Sequence, residues 1–407
     1  MSYTRRNFLK SALGASVLMP FGGAMPNLLT GSAMAAKRRD DRKTVLVVVQ
    51  LSGGNDGLNT VVPYADDEYA RNRPTLRLPT EELHKIDSYI GFHPRMGGFM
   101  RLYTEGRLGI VQGVGSPNPD QSHENAMRIW HTADTENLGR QRGWLGRAID
   151  NEWVENTTNA AAVFVGPISQ PFALNSANAI VPSILMPSDL VARQISGSEE
   201  LSVGDRGKSL VNFVRQCGAG ARANSRRIEQ AEQESAGAGK YPSFGLAGHL
   251  RSVAQLIRAD IGIRIFFVEL GGGGIGGFDN HANQLGNHCA MLHQLSESIA
   301  AFVEDLERDK LLDRVLLMTF SEFGRTVKEN GRRGTGHGIA APVFLVGGRV
   351  KSGLIGSHPS LTDLQNGALK LKIDFRRVYA TVLDRWLGFE SRAVLDKQYE
   401  PLDILNV

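Results

Sequence analysis

The sequence predicts an α/β fold, a doubly wound and mostly parallel sheet with helices on both faces, and two observations lead there. Short apolar runs rich in β-branched residues alternate with longer amphipathic stretches along the 407 residues, as expected for strands buried on both faces and joined by helices. The polar residues able to do chemistry fall just after those runs or at the starts of the amphipathic stretches. That is the edge where such sheets gather loops and helix N-termini.

Ahead of the first run, Thr4-Arg5-Arg6-Asn7-Phe8-Leu9-Lys10 leads into an apolar, Gly- and Ala-rich stretch, and Ala33-Met34-Ala35 offers a small-x-small cleavage site. This order of features is that of a twin-arginine export signal. Pro20, Gly22, Gly23 and Pro26 break up the ~20 strongly apolar residues a spanning helix needs. Residues 1–35 are therefore expected to be a signal peptide, 36–43 a solvated leader, and 44–407 a single domain. The expected partner is the Tat translocase and the expected compartment the periplasm, with no stable membrane span in the mature chain.

Lys and Arg total 46 against 42 Asp and Glu, and Arg5, Arg6 and Lys10 leave with the signal. The nearly neutral remainder excludes the basic footprint of a nucleic-acid binder. Cys217 and Cys289 are the only cysteines, so they form one disulfide or remain two small buried thiols. Gly218 to Gly239, dominated by Gly, Ala, Ser, Arg and Glu, is expected to be a flexible insertion.

The predicted strands, in order, are Thr44–Leu51, Leu108–Val114, Ala161–Val165, Ile263–Leu270, Val315–Phe320 and Val343–Val346. The predicted helices are Glu124–Ala133, Trp144–Asp150, Leu246–Ala259, Gln284–Arg308 and Phe375–Leu387. In the last, Phe375, Val378, Tyr379, Val382 and Trp386 recur three or four apart and form one apolar face for the core.

Five clusters follow these elements. After the first strand, glycines flank Asn55-Asp56, either to bring a carboxylate close to an ion or to make a plain turn. Neither a dinucleotide fingerprint nor a P-loop is present there. Ser122 with His123 opens a helix, where free N–H groups favour an oxyanion, although Ser122 and Asn125 would serve equally as caps. Asp279 and His281, with His288 as a third donor, supply oxygen and imidazole ligands, while Asp279 also suits an N-cap. Glu322 and Arg325 form either part of a site or an ion pair. His337 lies between Gly336 and Gly338, where its ring is free either to approach a ligand or to be solvated. No G-x-S-x-G elbow occurs, which argues against an α/β-hydrolase triad.

Taken together, LSGGNDGLN, GFHP, GWLGR, GGFDNHANQ, SEFGRT, GTGHG and DFRRVYATVLDRWLG resemble domain of unknown function family 1501, placed in the alkaline phosphatase and sulfatase superfamily. The resemblance implies an alkaline phosphatase/sulfatase-like fold and an exported metal-dependent hydrolase of sulfate or phosphate esters. It further implies a divalent metal, whether Zn, Mn, Mg, Ca or Fe, held by Asp56, Asp279, His281, Glu322 and His337. Ser122 would be the nucleophile, His123 the acid for the leaving group, and Arg325 the clamp on an anionic ester substrate. Phe323 stands where the superfamily has an imidazole ligand and Gly336 where the family has Asp, and the Gly271–Gly277 run is longer than usual. These departures leave open the alternative of a non-catalytic exported binding or assembly protein with a degenerate site and no metal.

Overall fold

The computed structural model describes residues 44–152, 161–167, 169–179, 181–190, 225–233, 240–271 and 277–406. The export signal, the leader, Cys217 and most of the Gly218–Gly239 stretch lie outside these, so the signal and the cysteine pairing are not described. Of that stretch, 225–233 is helical, with Ile228 and Ala231 buried.

Among the described residues, nine strands form one mixed sheet. In chain order they are β1 (Val45–Leu51), β2 (Leu108–Gly115), β3 (Ala162–Val165), β4 (Ser183–Ile184), β5 (Ile265–Leu270), β6 (Val315–Phe320), β7 (Ala341–Val346), β8 (Gly353–Ile355) and β9 (Ile373–Asp374). The order across the sheet is β8-β2-β7-β6-β1-β5-β3-β4, with β9 also on β2. All pairings are parallel except those of β7, which runs antiparallel to β2 and β6. The sheet is therefore mostly parallel, as expected.

The continuous apolar character of the central strands has a direct cause. Val45, Val47, Val49 and Leu51 of β1 join one core, and Leu46 and Val48 join the other. In β6, Val315 and Leu317 likewise face one side, while Leu316, Met318 and Phe320 face the opposite side. With no face left to water, nearly every position is apolar, and the exceptions, Gln50 and Thr319, are buried with hydrogen-bond partners in His131 and Phe344 N. The helices that cover the first face are α2 (Gly97–Thr104), α5 (Gly245–Ala259) and α6 (Gln284–Arg308). The second face is covered by α3 (His123–Thr132), α4 (Trp144–Glu152) and α7 (Phe375–Thr381), which continues as a π-helical stretch Val382–Leu387. Phe375, Val378, Tyr379, Val382 and Trp386 are all buried. Trp386 also donates from Nε1 to the Val45 carbonyl at 2.9 Å, anchoring the C-terminal segment to the start of β1. Among the described residues, no helix is long and apolar enough to cross a membrane.

Because β1, β5 and β6 are adjacent and parallel, the loops that follow them leave from one edge. Two glycines let those loops touch. Gly53 has φ +113°, and a Cβ there would lie 2.5 Å from the Asp279 nitrogen. A Cβ on Gly324 would lie 2.0 Å from the Ala340 carbonyl oxygen. Only a residue without a side chain permits either approach.

Candidate metal centre

At this edge His123, Asp279 and His337 present ligand atoms within 4.8 Å of one another. His281 joins them, its Nε2 lying 2.9 Å from Asp279 Oδ1 and 2.9 Å from His337 Nε2. His337 Nε2 is 3.1 Å from the same carboxylate oxygen, and His123 Nε2 is 3.4 Å from Asp279 Oδ2.

The far nitrogens determine what the near ones can do. His337 Nδ1 faces the Gln121 carbonyl at 2.6 Å, and a carbonyl can only accept, so this nitrogen carries the proton. His123 Nδ1 meets Glu322 Oε1 at 2.9 Å and donates to it in the same way. In the neutral imidazoles both Nε2 lone pairs therefore point into the cluster. Two facing ring nitrogens such as those of His281 and His337 need a shared proton or a cation between them. Metal–nitrogen bonds of about 2.0–2.1 Å would require only a small opening of that 2.9 Å gap. His123, Asp279 and His337 thus fit a divalent ion with one carboxylate and two imidazoles, and His281, beside Asp279 and His337, is placed to be a further donor.

Outer partners hold the ligands in place. Glu322, buried after β6, accepts from Gly53 N at 2.8 Å and from His123, so its carboxylate sits behind the His123 ring. The hydrogen bond to Glu322 is the main reason the His123 pKa is raised. Burial lowers that of His281. For Asp279 burial would raise the pKa, but the hydrogen bond and charge of Arg325 outweigh it and bring it to about 2. Such backing of ligands by carboxylates and carbonyls is typical of metal-binding histidines. Replacing Glu322 by Gln is expected to weaken metal affinity about 10- to 100-fold while leaving the fold intact, as titration with a chelator-buffered metal would show.

Several expected roles change in the structure. Arg325 does not clamp an oxyanion, because its side chain is fully buried and its donors are taken. It bonds the carbonyls of Gly53, of Gly54 at 2.7 Å, of Phe278 at 3.0 Å and of Thr335 at 3.3 Å, and Asp279 Oδ1 at 2.6 Å. It ties three loops together and orients Asp279. Asp56 is not brought to the cluster. Arg73, just after α1 (Asp67–Asn72), takes both of its oxygens at 2.6 and 3.0 Å, and Gln284 Nε2 donates to Oδ2 at 2.5 Å. Burial pushes the Asp56 pKa up, yet the Arg73 charge prevails and brings it to about 2. His288 is turned away as well, its Nε2 donating to Asn55 Oδ1 at 3.0 Å.

Ser122 is the N-cap of α3, but its side chain makes no capping bond. Asp120 instead holds the turn before the helix, accepting from Ser122 N at 2.7 Å and from Asn125 Nδ2 at 3.1 Å, and neither bond caps an N–H group of the first helical turn. The Phe323 ring stacks on His337 at 4.4 Å between centroids and lies 5.0 Å from that of His123. It forms an apolar wall beside the two imidazoles. His123 supplies a ring nitrogen from α3 while the β6 loop offers phenyl. Sequence reasoning singled out His123 as an acid and not as a ligand, and it missed the Arg73 and Gln284 clamp, for which Gln284 had a signal in lying within the GGFDNHANQ run.

Three further histidines are buried and neutral. Burial is the first cause in each case, lowering His93 to about 3, His131 to about 3 and His288 to about 4. Their folded pKa values lie below the unfolded ~6.5, so the unfolded chain takes up the protons first as pH falls. Stability is therefore complete above about pH 6.5 and is lost on descent toward pH 4, by up to about 1.4 kcal/mol per pH unit for each histidine. Denaturant midpoints measured from pH 7 to pH 4 should fall steeply. A flat profile would contradict the buried, neutral state.

Residues 214–397 match the family model described as "Protein of unknown function (DUF1501)". The chain is similar to that family over this segment. No curated protein matches it. Solved structures similar to this chain include the C-terminal periplasmic domain of EcEptC from Escherichia coli, at 10% identity, with 88% of each chain covered and a TM-score of 0.40. The lipoteichoic acid synthase LtaP from Listeria monocytogenes is 9% identical, covering 81% of this chain and 74% of that one, with a TM-score of 0.39. The PsFucS1 sulfatase from Pseudoalteromonas sp. is 11% identical, covering 94% and 75%, with a TM-score of 0.38.

Proposed function

We propose that this chain is an exported, metal-dependent hydrolase of phosphate or sulfate esters, carried folded to the periplasm by the Tat translocase. The observation that supports this reading most directly is the convergence of the ring nitrogens of His123, His281 and His337 on the Asp279 carboxylate. Asp279, His281, His337 and His123 would hold the ion, and an imidazole-rich set with one carboxylate suits Zn, Mn or Fe better than Mg or Ca. When bound, a divalent metal supplies Lewis acidity that offsets charge developing on the transferred group.

The protein's own residues do the rest. Glu322 and the Gln121 carbonyl keep the Nδ1 protons of His123 and His337 in place, so both Nε2 atoms stay available. Arg325 keeps Asp279 ionised and correctly placed. Ser122, at the N-terminus of α3 with its hydroxyl free of capping duty, is the proposed nucleophile, and the adjacent free N–H groups of that helix would receive the ester's oxygens. The Thr4 to Lys10 motif supports export through the twin-arginine route.

The test is metal content and hydrolysis together. Purified mature protein should carry close to one equivalent of metal and hydrolyse an aryl phosphate or an aryl sulfate, with Ser122→Ala inactive but still metal-loaded. Protein that takes up no metal on reconstitution and turns over neither ester would return the non-catalytic binding reading.

A further inference from the structure

Beside the metal centre, the turn that follows β6 carries three exposed cations, Lys328, Arg332 and Arg333. None of their side chains makes a hydrogen bond or ion pair among the described residues. The turn is well defined. Asn330 N donates to the Gly334 carbonyl at 2.8 Å, and Asn330 Oδ1 accepts from Arg332 N at 2.9 Å and Gly334 N at 3.2 Å. It is also clamped onto the segment that bears His281. The Arg332 and Arg333 carbonyls accept from Asn283 N at 3.0 Å and Gln284 N at 2.9 Å, and Asn330 Nδ2 donates to the His281 carbonyl at 3.0 Å.

Three carboxylates of these loops have other partners. Glu329 accepts from Thr75 and from Leu76 N at 2.8 Å, Asp279 from Arg325, and Asp56 from Arg73. Arg333 keeps its side chain in a left-handed backbone conformation, φ 57°, which favours glycine. Two guanidinium groups and an ammonium thus stand unpaired in water, on a turn hydrogen-bonded to the segment that carries His281 and so beside a site read as one for anionic esters.

We infer that this turn is a subsite for a second anionic group of the substrate, so that the natural ester belongs to a polyanion bearing repeated sulfate or phosphate groups. Planar guanidinium groups match the geometry of either oxyanion. The inference rests on the ester-hydrolase reading above, but it is tested by binding, which does not require turnover. Binding of dextran sulfate and of inorganic polyphosphate to the mature protein is measured by calorimetry over a range of salt. The arms are wild type, Arg332→Gln with Arg333→Gln, and a control pair, Arg349→Gln with Arg392→Gln.

Wild type should bind at least one of the two polymers, and the preferred one identifies the source of the anion. The Arg332 and Arg333 variant should bind at least tenfold more weakly with a shallower salt dependence. It should keep the wild-type metal content and the wild-type rate on a simple aryl ester, whereas the control pair should bind as wild type does. Equal binding by wild type and the turn variant, equal losses in both pairs, or no polymer binding by wild type would each overturn the inference. Arginine-dependent polymer binding by a protein that holds no metal would defeat the hydrolase reading and leave the subsite standing.

Discussion

Arg73→Ala is expected to destabilise the protein by about 3–5 kcal/mol, because it leaves the Asp56 carboxylate buried and unpaired. Arg73 and Asp56 are both essentially inaccessible, so water cannot take the place of the guanidinium. The loss extends beyond one ion pair. Arg73 also donates to the Val327 carbonyl at 2.6 Å and the Thr326 carbonyl at 2.9 Å, holding the loop after β1 to the loop after β6. Denaturant unfolding would read the effect as a fall in midpoint at unchanged slope. The double replacement Arg73→Met with Asp56→Asn should recover much of the loss, since no unpaired charge then remains. In the wild type the Asp56 pKa is depressed to about 2, so the pair's contribution is fully present above the unfolded value near 3.9 and disappears as pH falls toward 2. The Arg73 variant should lose that acid-side dependence. A midpoint within error of wild type would show that the clamp is not structural.

His337→Ala is expected to remove the bound metal and, with it, ester hydrolysis. The imidazole contacts Asp279 and His281 directly and packs on Phe323, so its loss opens the ion's surroundings on two sides. Affinity should drop by more than about 100-fold, the upper end of the effect of losing an outer partner alone. Asp279→Ala should do the same and also strand Arg325, which is buried against four carbonyls. That variant is therefore expected to lose stability as well, whereas His337→Ala should lose metal only. Metal content by elemental analysis, measured with thermal unfolding on the same samples, separates the two. Retained stoichiometric metal in His337→Ala would exclude this residue as a ligand.

Much of the sheet could be read along the chain. VLVVVQL and VLLMTF are apolar at every position but Gln50 and Thr319 because both faces of those strands are buried, and that is a local, countable pattern. The direction of β7 was not legible, because an antiparallel central strand has the same composition as a parallel one. The short edge strands Ser183–Ile184 and Gly353–Ile355 were missed for the opposite reason, since two or three residues show no period.

For the centre, the sequence by itself determined the donor types and their places at strand ends: Asp279 and His281 after β5, Glu322 after β6, His337 between glycines, and Ser122 with His123 at the start of α3. Only the tertiary structure decided which of them converge. Asp56 lies in the turn after β1 and His123 at the start of α3, yet the Asp56 carboxylate is consumed by Arg73 while the His123 ring reaches Asp279. Arg325, read in the sequence as an ion-pair partner of Glu322 or an oxyanion clamp, is engaged in the fold by Asp279 and four carbonyls. The reason is physical: a side chain's role depends on which donors and acceptors surround it, and residues 17, 46 and 199 positions apart in the chain supply those partners. Spacing along one segment carries no information about such distant contacts.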